Sequence, residues 1–239
     1  MKISAIMQTR TGSTRLPGKS LKKICGKTVT ELIIERVKTM NVSDIVAAIP
    51  EREEESFVRL LESADAKVFK GSEDDVLSRF HGAVSAFPAD IIVRINGDNL
   101  LVHPEFVNQA IHLIREKEAD YVNVVGAPVG CGVDVFIKHA LEKSFSLHDL
   151  TSVEKEHVIP VFFRNGLFKR DSVFVSGKLA RGEIRLTLDT KEDFALLEKL
   201  YGVFYKPGSI VPLEKVIDYL DAYPDILSIN KNVRQKGWK

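Results

Sequence analysis

The chain has 239 residues, with 34 Lys and Arg against 33 Asp and Glu and a formal net charge of +1. That length buries a real core without staples, and 44% hydrophobic with 28% charged residues excludes disordered and fibrous classes. Cys25 and Cys131 can build neither a disulfide framework nor a four-ligand zinc site, Gln8 and Arg10 interrupt any leader core, and no apolar run approaches the roughly 20 residues of a membrane span; the expectation is a cytoplasmic protein that binds no membrane.

In chain order, Ile3 to Met7 reads as a short buried strand, followed by a polar loop from Gln8 to about Lys27. Residues 1–30 carry seven cations and no acid, leaving 27 cations and 33 acids, a net of −6, for the rest. This basic stretch contains no aromatic residue. Nucleic-acid grooves interleave aromatics with their cations, so a small anionic ligand is expected here and nucleic acid is not. Thr28 or Thr30 caps a helix through about Met40, with Leu32, Ile33, Arg36 and Val37 at helical spacing.

Ile45 to Ile49 is the next strand, ended by Pro50. Residues 51–63 form an amphipathic helix and Lys67 to Phe69 a short strand. Ser72 opens a helix with Glu73, Asp74 and Asp75 in its first turn, where acids favour the helix dipole. Ile91 to Ile95 is the clearest strand, stopped by Gly97-Asp98; Pro104 starts a helix to 117, and Tyr121 to Val125 returns as a strand. Strands alternating with helices of this length predict crossover units and a mostly parallel sheet. The rhythm weakens over 126–188, where strands at 133–137, 168–175 and 184–188 mix with one or two helices, suggesting an insertion or dimerisation region. Helices resume at 190–202 and 212–221. Without repeats or a linker, the expected organisation is one α/β domain over 1–239.

Ligands of open α/β sheets sit at the carboxyl ends of the strands. Two polar segments fall there: Gln8 to Ser20 after the first strand, and Asn96-Gly97-Asp98 after the fourth. In the first, Gly12 and Gly18 permit close backbone approach, while Arg10, Arg15 and Lys19 offer charge-assisted donors suited to a polyphosphate. It is not a Walker A loop, because five residues rather than four separate Gly12 from Gly18 and no helix opens at Lys19. Neither does a dinucleotide fingerprint occur. A triphosphate among so many cations implies a metal held by carboxylates. Asp98 and Asp189, each at a strand end, are the candidates, and hard oxygen ligands suit Mg2+.

The constellation resembles the cytidylyltransferases of the spore coat polysaccharide type, relatives of the acylneuraminate and 3-deoxy-manno-octulosonate cytidylyltransferases. The anchors run from Gln8 to Lys19 and from Gly71 to Phe80, then Arg94 to Asp98, Glu156-His157-Val158, and Leu188 to Asp193. The resemblance implies a Rossmann-like nucleotidyltransferase fold, with a mixed, mostly parallel sheet flanked by helices, and a homodimer. It implies that Arg10, Gly12, Ser13, Arg15 and Lys19 hold the CTP phosphates, with Arg10, Lys19 and Asp98 the catalytic set. Met7, Gln8, Ser72 and Arg79 would surround base and ribose, and Arg94, Asp134, Glu156 and His157 the sugar. Asp98 and Asp189 would carry Mg2+. The implied reaction is attack of a hydroxyl of a 2-keto-3-deoxy sugar acid on the α-phosphorus of CTP, releasing pyrophosphate for surface polysaccharide synthesis.

Three departures from the family pattern fall where the sugar is expected. An acid becomes His103, an Asp gives way to Gly132 with a Glu shortened to Asp134, and an aromatic becomes Ala127. These leave two alternatives beside the leading one: a non-catalytic nucleotide-binding relative, and a sugar-nucleotide-using glycosyltransferase of related fold, which the absence of Asp-x-Asp at Asp98 disfavours. His81, His112, His139 and His148 show no metal spacing, and Cys131, with no paired base, reads as structural. The tail with Lys231, Arg234, Lys236 and Lys239 reads as a solvated end that Trp238 can dock.

Overall fold

A computed structural model of the chain describes residues 1–235 and Gly237. The expected docking of the tail by Trp238, with Lys236 and Lys239, lies outside the described residues.

Strand β1 (Ile3–Gln8) is followed by the long loop, within which a hairpin of β2 (Lys23–Ile24) and β3 (Lys27–Thr28) was not foreseen. Its turn places Cys25 and Gly26 both at positive φ, the geometry of a two-residue hairpin turn, and only Gly26 advertised it. Helix α1 (Val29–Val37) is capped by Thr28, whose hydroxyl accepts from the Glu31 backbone while the Glu31 carboxylate accepts from Thr28, so Thr28 rather than Thr30 is the cap. The helix stops three residues short of Met40.

Then come β4 (Asp44–Pro50), α2 (Glu55–Ser63), β5 (Lys67–Gly71), α3 (Val76–Ala86), β6 (Ile91–Asn96), α4 (Pro104–Glu116) and β7 (Tyr121–Val125). Pro50 belongs to its strand as the last residue, and residues 51–54 form a turn that precedes α2. Helix α3 opens later than expected: Asp75, not Ser72, is its cap, accepting from the Ser78 N–H at 2.8 Å, while Ser72 Oγ accepts from the Asp75 N–H at 3.0 Å. Residues 72–75 thus form a preceding turn that keeps Glu73 and Asp74 outside the helix.

The last part holds β8 (Asp134–Ile137), α5 (Lys138–Phe145), α6 (Ser152–His157), β9 (Arg170–Phe174), α7 (Lys191–Phe204), α8 (Leu213–Ala222) and α9 (Pro224–Leu227). Residues 184–188 are not a strand. They are buried but form only a single bridge, Val129 to Arg185; at the next residue Gly130 takes a φ of +94°, so close that a Cβ there would lie 2.7 Å from the Thr187 nitrogen. The segment then crosses to another partner, the Leu188 N–H donating to the Asp98 carbonyl at 2.9 Å.

The seven-stranded sheet has the order β5-β4-β1-β6-β8-β7-β9, with only β8 antiparallel to its neighbours. Side chains alternate between its faces. Ala5, Met7, Ala47, Ile49, Val93 and Ile95 pack under α1, α2, α4, α7 and α8. Ile6, Val46, Ala48 and Ile92 pack under α3 and α5 with Phe80, Phe136 and Phe162. Burial on both faces explains why β1, β4 and β6 read as unbroken apolar runs. The chain moves from β1 outward to β4 and β5, then returns to β6 on the other side of β1. This reversal places a crevice between the carboxyl ends of β1 and β6.

Near α6 the fold is tied by one buried acid. Glu154 accepts from Arg164 Nε at 2.6 Å and Nη2 at 2.7 Å, which holds its carboxyl down at about 2. The folded value lies below the ordinary one of 4.5, so this stabilisation is complete above the ordinary value and is lost as pH falls between about 4.5 and 2. Glu154→Gln should flatten the acid limb of stability in that window, read as melting temperature against pH. An unchanged slope would remove this pair from acid unfolding.

Candidate active site

The site begins where β1 and β6 end. Gln8 and Asn96 are in register, and the Gly97 N–H donates to the Gln8 carbonyl at 2.8 Å, so the two chains stay together one residue past the sheet. A Cβ on Gly97 would lie 2.6 Å from Thr9 Oγ1 and 2.9 Å from the Gln8 carbonyl oxygen. That close approach sets Asp98 at the mouth of the crevice. Gly97→Ala should therefore separate the two strand ends, costing about 1–3 kcal/mol as overpacking does and lowering activity. A thermal melt and a turnover assay check both parts, and a wild-type result in both would refute the close-approach role.

The loop after β1 is held from two sides. The Thr11 N–H and Oγ1 both donate to the Glu53 carboxylate at 2.8 Å, and Ser20 Oγ donates to the Arg10 carbonyl at 2.7 Å. Gly18 takes a left-handed φ of +65°, turning the chain into one 3-10 turn, Lys19–Leu21, which is all the helix Lys19 opens. At Gly12 a side chain would meet nothing, so the loop presents bare backbone there.

Two of the predicted phosphate-binding cations, Arg15 and Lys19, and both predicted metal-binding acids converge on one point, while Arg10 does not join them. Lys19 Nζ donates to Asp98 Oδ2 at 2.8 Å, the Leu188 carbonyl at 3.0 Å and Asp189 Oδ1 at 3.1 Å. Arg15 pairs with the same Asp189 oxygen at 3.1 Å. The Lys19 side chain is only 15% exposed. Burial alone would lower its pKa, but the attraction of Asp98 and Asp189 outweighs that and holds it above the ordinary lysine value. Asp189 is the mirror image: burial would raise its carboxyl, and Lys19, Arg185 and Arg15 pull it below the usual range. A charged cluster this enclosed is weakly screened, unlike a surface pair.

Two acids sharing one cation are a fit for Mg2+, which takes one or two carboxylates and completes its shell with phosphate and water oxygens. Among the described residues no group of three or more His, Cys, Asp or Glu gathers to hold a metal unaided.

Arg10 stands 48% exposed at the rim, 3.5 Å from Glu73, linking the loop to the turn after β5. Behind it Arg79 is buried and donates to the Ser72 and Glu73 carbonyls; burial first, then the Arg10 charge, lower it to about 10. Its contacts hold the shape of the 72–75 turn. Met7 is enclosed within β1, leaving only its backbone to face a ligand, while Ser13 is half-buried in the loop.

A cleft of roughly 200 Å3 opens beside this cluster, lined by Asn96, Asn99, Asn123, Ala127, Gly132 and Asp134 among others. Asp134 accepts from Arg94 at 3.0 Å and from the Tyr121 hydroxyl at 2.6 Å, and Arg94 Nε also donates to Gln8 Oε1 at 3.2 Å. Arg94 and Asp134 are thus brought together. Glu156 and His157, expected with them, lie on α6 and do not line the cleft. His103, too, faces elsewhere: it caps α4 and meets Glu214 of α8 at 3.0 Å, so the acid-to-His change belongs to helix packing. Cys131 is fully buried and pushed up to about 12 by burial, an inert thiol.

Sequence reasoning missed the residues that hold Asp189. Arg185 Nη2 donates to Asp189 Oδ2 at 2.8 Å and to Asp193 Oδ2 at 3.0 Å, and its Nε to Asp193 Oδ1 at 2.9 Å. Asp193, 0% exposed, also accepts from the Asp189 and Thr190 N–H groups. The spacing of Thr190 and Asp193 is a capping signature and was a readable signal; Arg185 and Glu53 had none.

A mostly parallel sheet with a cationic loop at its reversal point, faced by Asp98 after β6 and Asp189 before α7, defines a nucleotidyltransferase. A cytidylyltransferase from Leptospira borgpetersenii superposes with a TM-score of 0.86 at 25% identity, covering 99% of this chain and all of that one. The chain belongs to the cytidylyltransferase family, whose model matches residues 4–217. It is 38% identical to an uncharacterized protein of Methanocaldococcus jannaschii over all of this chain and 98% of that one. The spore coat polysaccharide biosynthesis protein SpsF of Bacillus subtilis is 30% identical, over 92% of this chain and 94% of its own. A 3-deoxy-manno-octulosonate cytidylyltransferase of Geobacter metallireducens is 32% identical over 46% of this chain and 44% of its own. The family places this chain among nucleotidyl-transferring enzymes, against the glycosyltransferase alternative. Among the described residues no helix is long and apolar enough to cross a membrane.

Proposed function

We propose that this chain transfers the cytidylyl group of CTP to a hydroxyl of a sugar acid of the 2-keto-3-deoxy class, for surface polysaccharide synthesis. The hydroxyl oxygen bonds to the α-phosphorus, the bond from that phosphorus to the bridging oxygen breaks, pyrophosphate leaves, and the hydroxyl proton passes to solvent. The observation that supports it is the convergence of Arg15, Lys19, Asp98 and Asp189 beside a polar cleft.

Arg10, Arg15 and Lys19, with the bare backbone at Gly12 and the Ser13 hydroxyl, would take the triphosphate charge. Asp98 and Asp189 would hold Mg2+. The metal, when bound, lowers the pKa of the attacking hydroxyl and neutralises phosphoryl charge. The rest is alignment: the amide and carboxylate groups of the cleft orient the acceptor, so the entropy of bringing two substrates together is met by binding. Asp134, fixed by Arg94 and Tyr121, offers the acceptor an oriented carboxylate. The resemblance to sugar-acid cytidylyltransferases supports this acceptor class. A homodimer is part of the same reading, favoured by the edge strand β9, whose Phe174 is 75% exposed.

The test is pyrophosphate release with magnesium, each nucleoside triphosphate in turn, and a panel of 2-keto-3-deoxy acids. Turnover with CTP and one such acid is expected. No turnover with any pair would overturn the acceptor class, and preference for another nucleotide would overturn the base.

A further inference from the structure

Beyond the residues that the family model matches, 4–217, the chain runs through α9 and a 3-10 turn, Ser228–Asn230, back toward the site. Asn230 ends this turn and is 4% exposed. A buried carboxamide needs partners, and this one has two: its Nδ2 donates to the Arg185 carbonyl at 3.0 Å and to Asp193 Oδ1 at 2.9 Å. Five residues on, Gln235 accepts from Arg185 Nη1. Every nitrogen of the guanidinium is then engaged: Nη1 by Gln235, Nε by Asp193, and Nη2 by Asp193 and Asp189.

The consequence falls on Asp189. Arg185 takes its Oδ2, which turns Oδ1 toward Lys19 and Arg15. The Asp189 N–H is fixed as well, by Asp193 Oδ2 at 2.9 Å. Asn230 supplies the donor that completes the other Asp193 oxygen beside Arg185 Nε, and it anchors the backbone of Arg185 itself. Removing it leaves Asp193 and the Arg185 carbonyl each one donor short, and the guanidinium that orients Asp189 loses its fixed seat.

We infer that residues 228–235 form a strap that sets the Asp189 carboxylate for the metal–nucleotide complex, with Asn230 as its positioning residue and Gln235 as its outer tie. This rests on the reading of Asp98 and Asp189 as the metal-binding pair. Outer partners of a metal-holding carboxylate commonly govern affinity by about 10–100-fold, and that is the scale expected here.

The experiment is calorimetric titration of the full chain with CTP, once with manganese(II) as the probe ion and once in EDTA, for wild type and Asn230→Leu, alongside thermal melts. The expected result is at least about tenfold weaker binding of manganese–CTP by the variant, with metal-free CTP binding unchanged, since Asn230 touches no phosphate-binding group. Equal manganese–CTP affinity in both proteins would overturn the strap while leaving the proposed function standing. Equal weakening with and without metal would also overturn it, because a merely structural loss does not discriminate. Should wild type bind no manganese–CTP at all, the metal-pair reading falls and the strap with it. If Asn230→Leu does not fold, Gln235→Ala at the exposed end serves: a few-fold, metal-dependent weakening supports the strap, and wild-type affinity overturns it.

Discussion

Asp98→Asn should abolish turnover while leaving the fold intact, with the rate falling by at least about 10²–10³-fold, the scale of losing one preorganised electrostatic contact. The substitution keeps shape and volume and removes only charge. The Asp98 carbonyl, which accepts from the Leu188 N–H at 2.9 Å, is untouched, so the segment leading to Asp189 stays docked. Lys19 loses one carboxylate but keeps Asp189 and the Leu188 carbonyl. The stability cost should stay within about 1.5–3 kcal/mol, the worth of one hydrogen bond to a charged group. The two nucleotide affinities should move in opposite senses. Metal-bound CTP should bind more weakly, because a carboxylate of the pair is gone. Metal-free CTP should bind as well as to wild type or better, because a negative charge facing the triphosphate has been removed. Pyrophosphate release, a thermal melt and calorimetry with and without magnesium read all three; a near-native rate would remove Asp98 from the reaction.

The parallel half of the fold was legible because it obeys simple periodicity. Strands β1, β4 and β6 are buried on both faces and announce themselves as apolar runs, and α4 and α8 show clean amphipathic spacing. The residues on either side of the crevice were legible for a related reason, since strand order alone sends the segments after β1 and β6 to one place. Misreadings cluster where a side chain competes for backbone. Ser72 and Asp75 both satisfy capping chemistry, and only the structure shows Asp75 winning while Arg79 ties down the Ser72 carbonyl. Residues 184–188 have the composition of a strand, but their hydrogen bonds go first to Val129 and then to Asp98. No local pattern encodes that change of partner. His103 is a third case: its partner Glu214 lies 111 residues away, so a substitution that reads as a change in the sugar pocket belongs to the contact between α4 and α8.

Asp193 was legible only as a helix cap and Arg185 not at all, since no pattern announces that the two pair across the segment before α7, and they support the second large effect. Asp193→Asn should cost about 3–5 kcal/mol of stability, the scale of breaking a buried ion pair. Every contact of the Asp193 carboxylate is one in which it accepts: Nε and Nη2 of Arg185, the Asn230 amide, and the N–H groups of Asp189 and Thr190. An amide of the same shape has one acceptor oxygen, so its NH2 must face donors whichever way it is turned. The Arg185 guanidinium, nearly buried, keeps only Asp189 as a charged partner and draws on it harder. A chain of this size should lose roughly 6–20 °C in melting temperature from such a change. Because the same carboxylate caps α7 and fixes the Asp189 N–H, the surviving folded protein should also bind magnesium–CTP more weakly. Asp98→Asn is expected to separate activity from stability, and Asp193→Asn to lower both together. If Asp193→Asn melted like wild type, the buried network would not be what holds Asp189 in place.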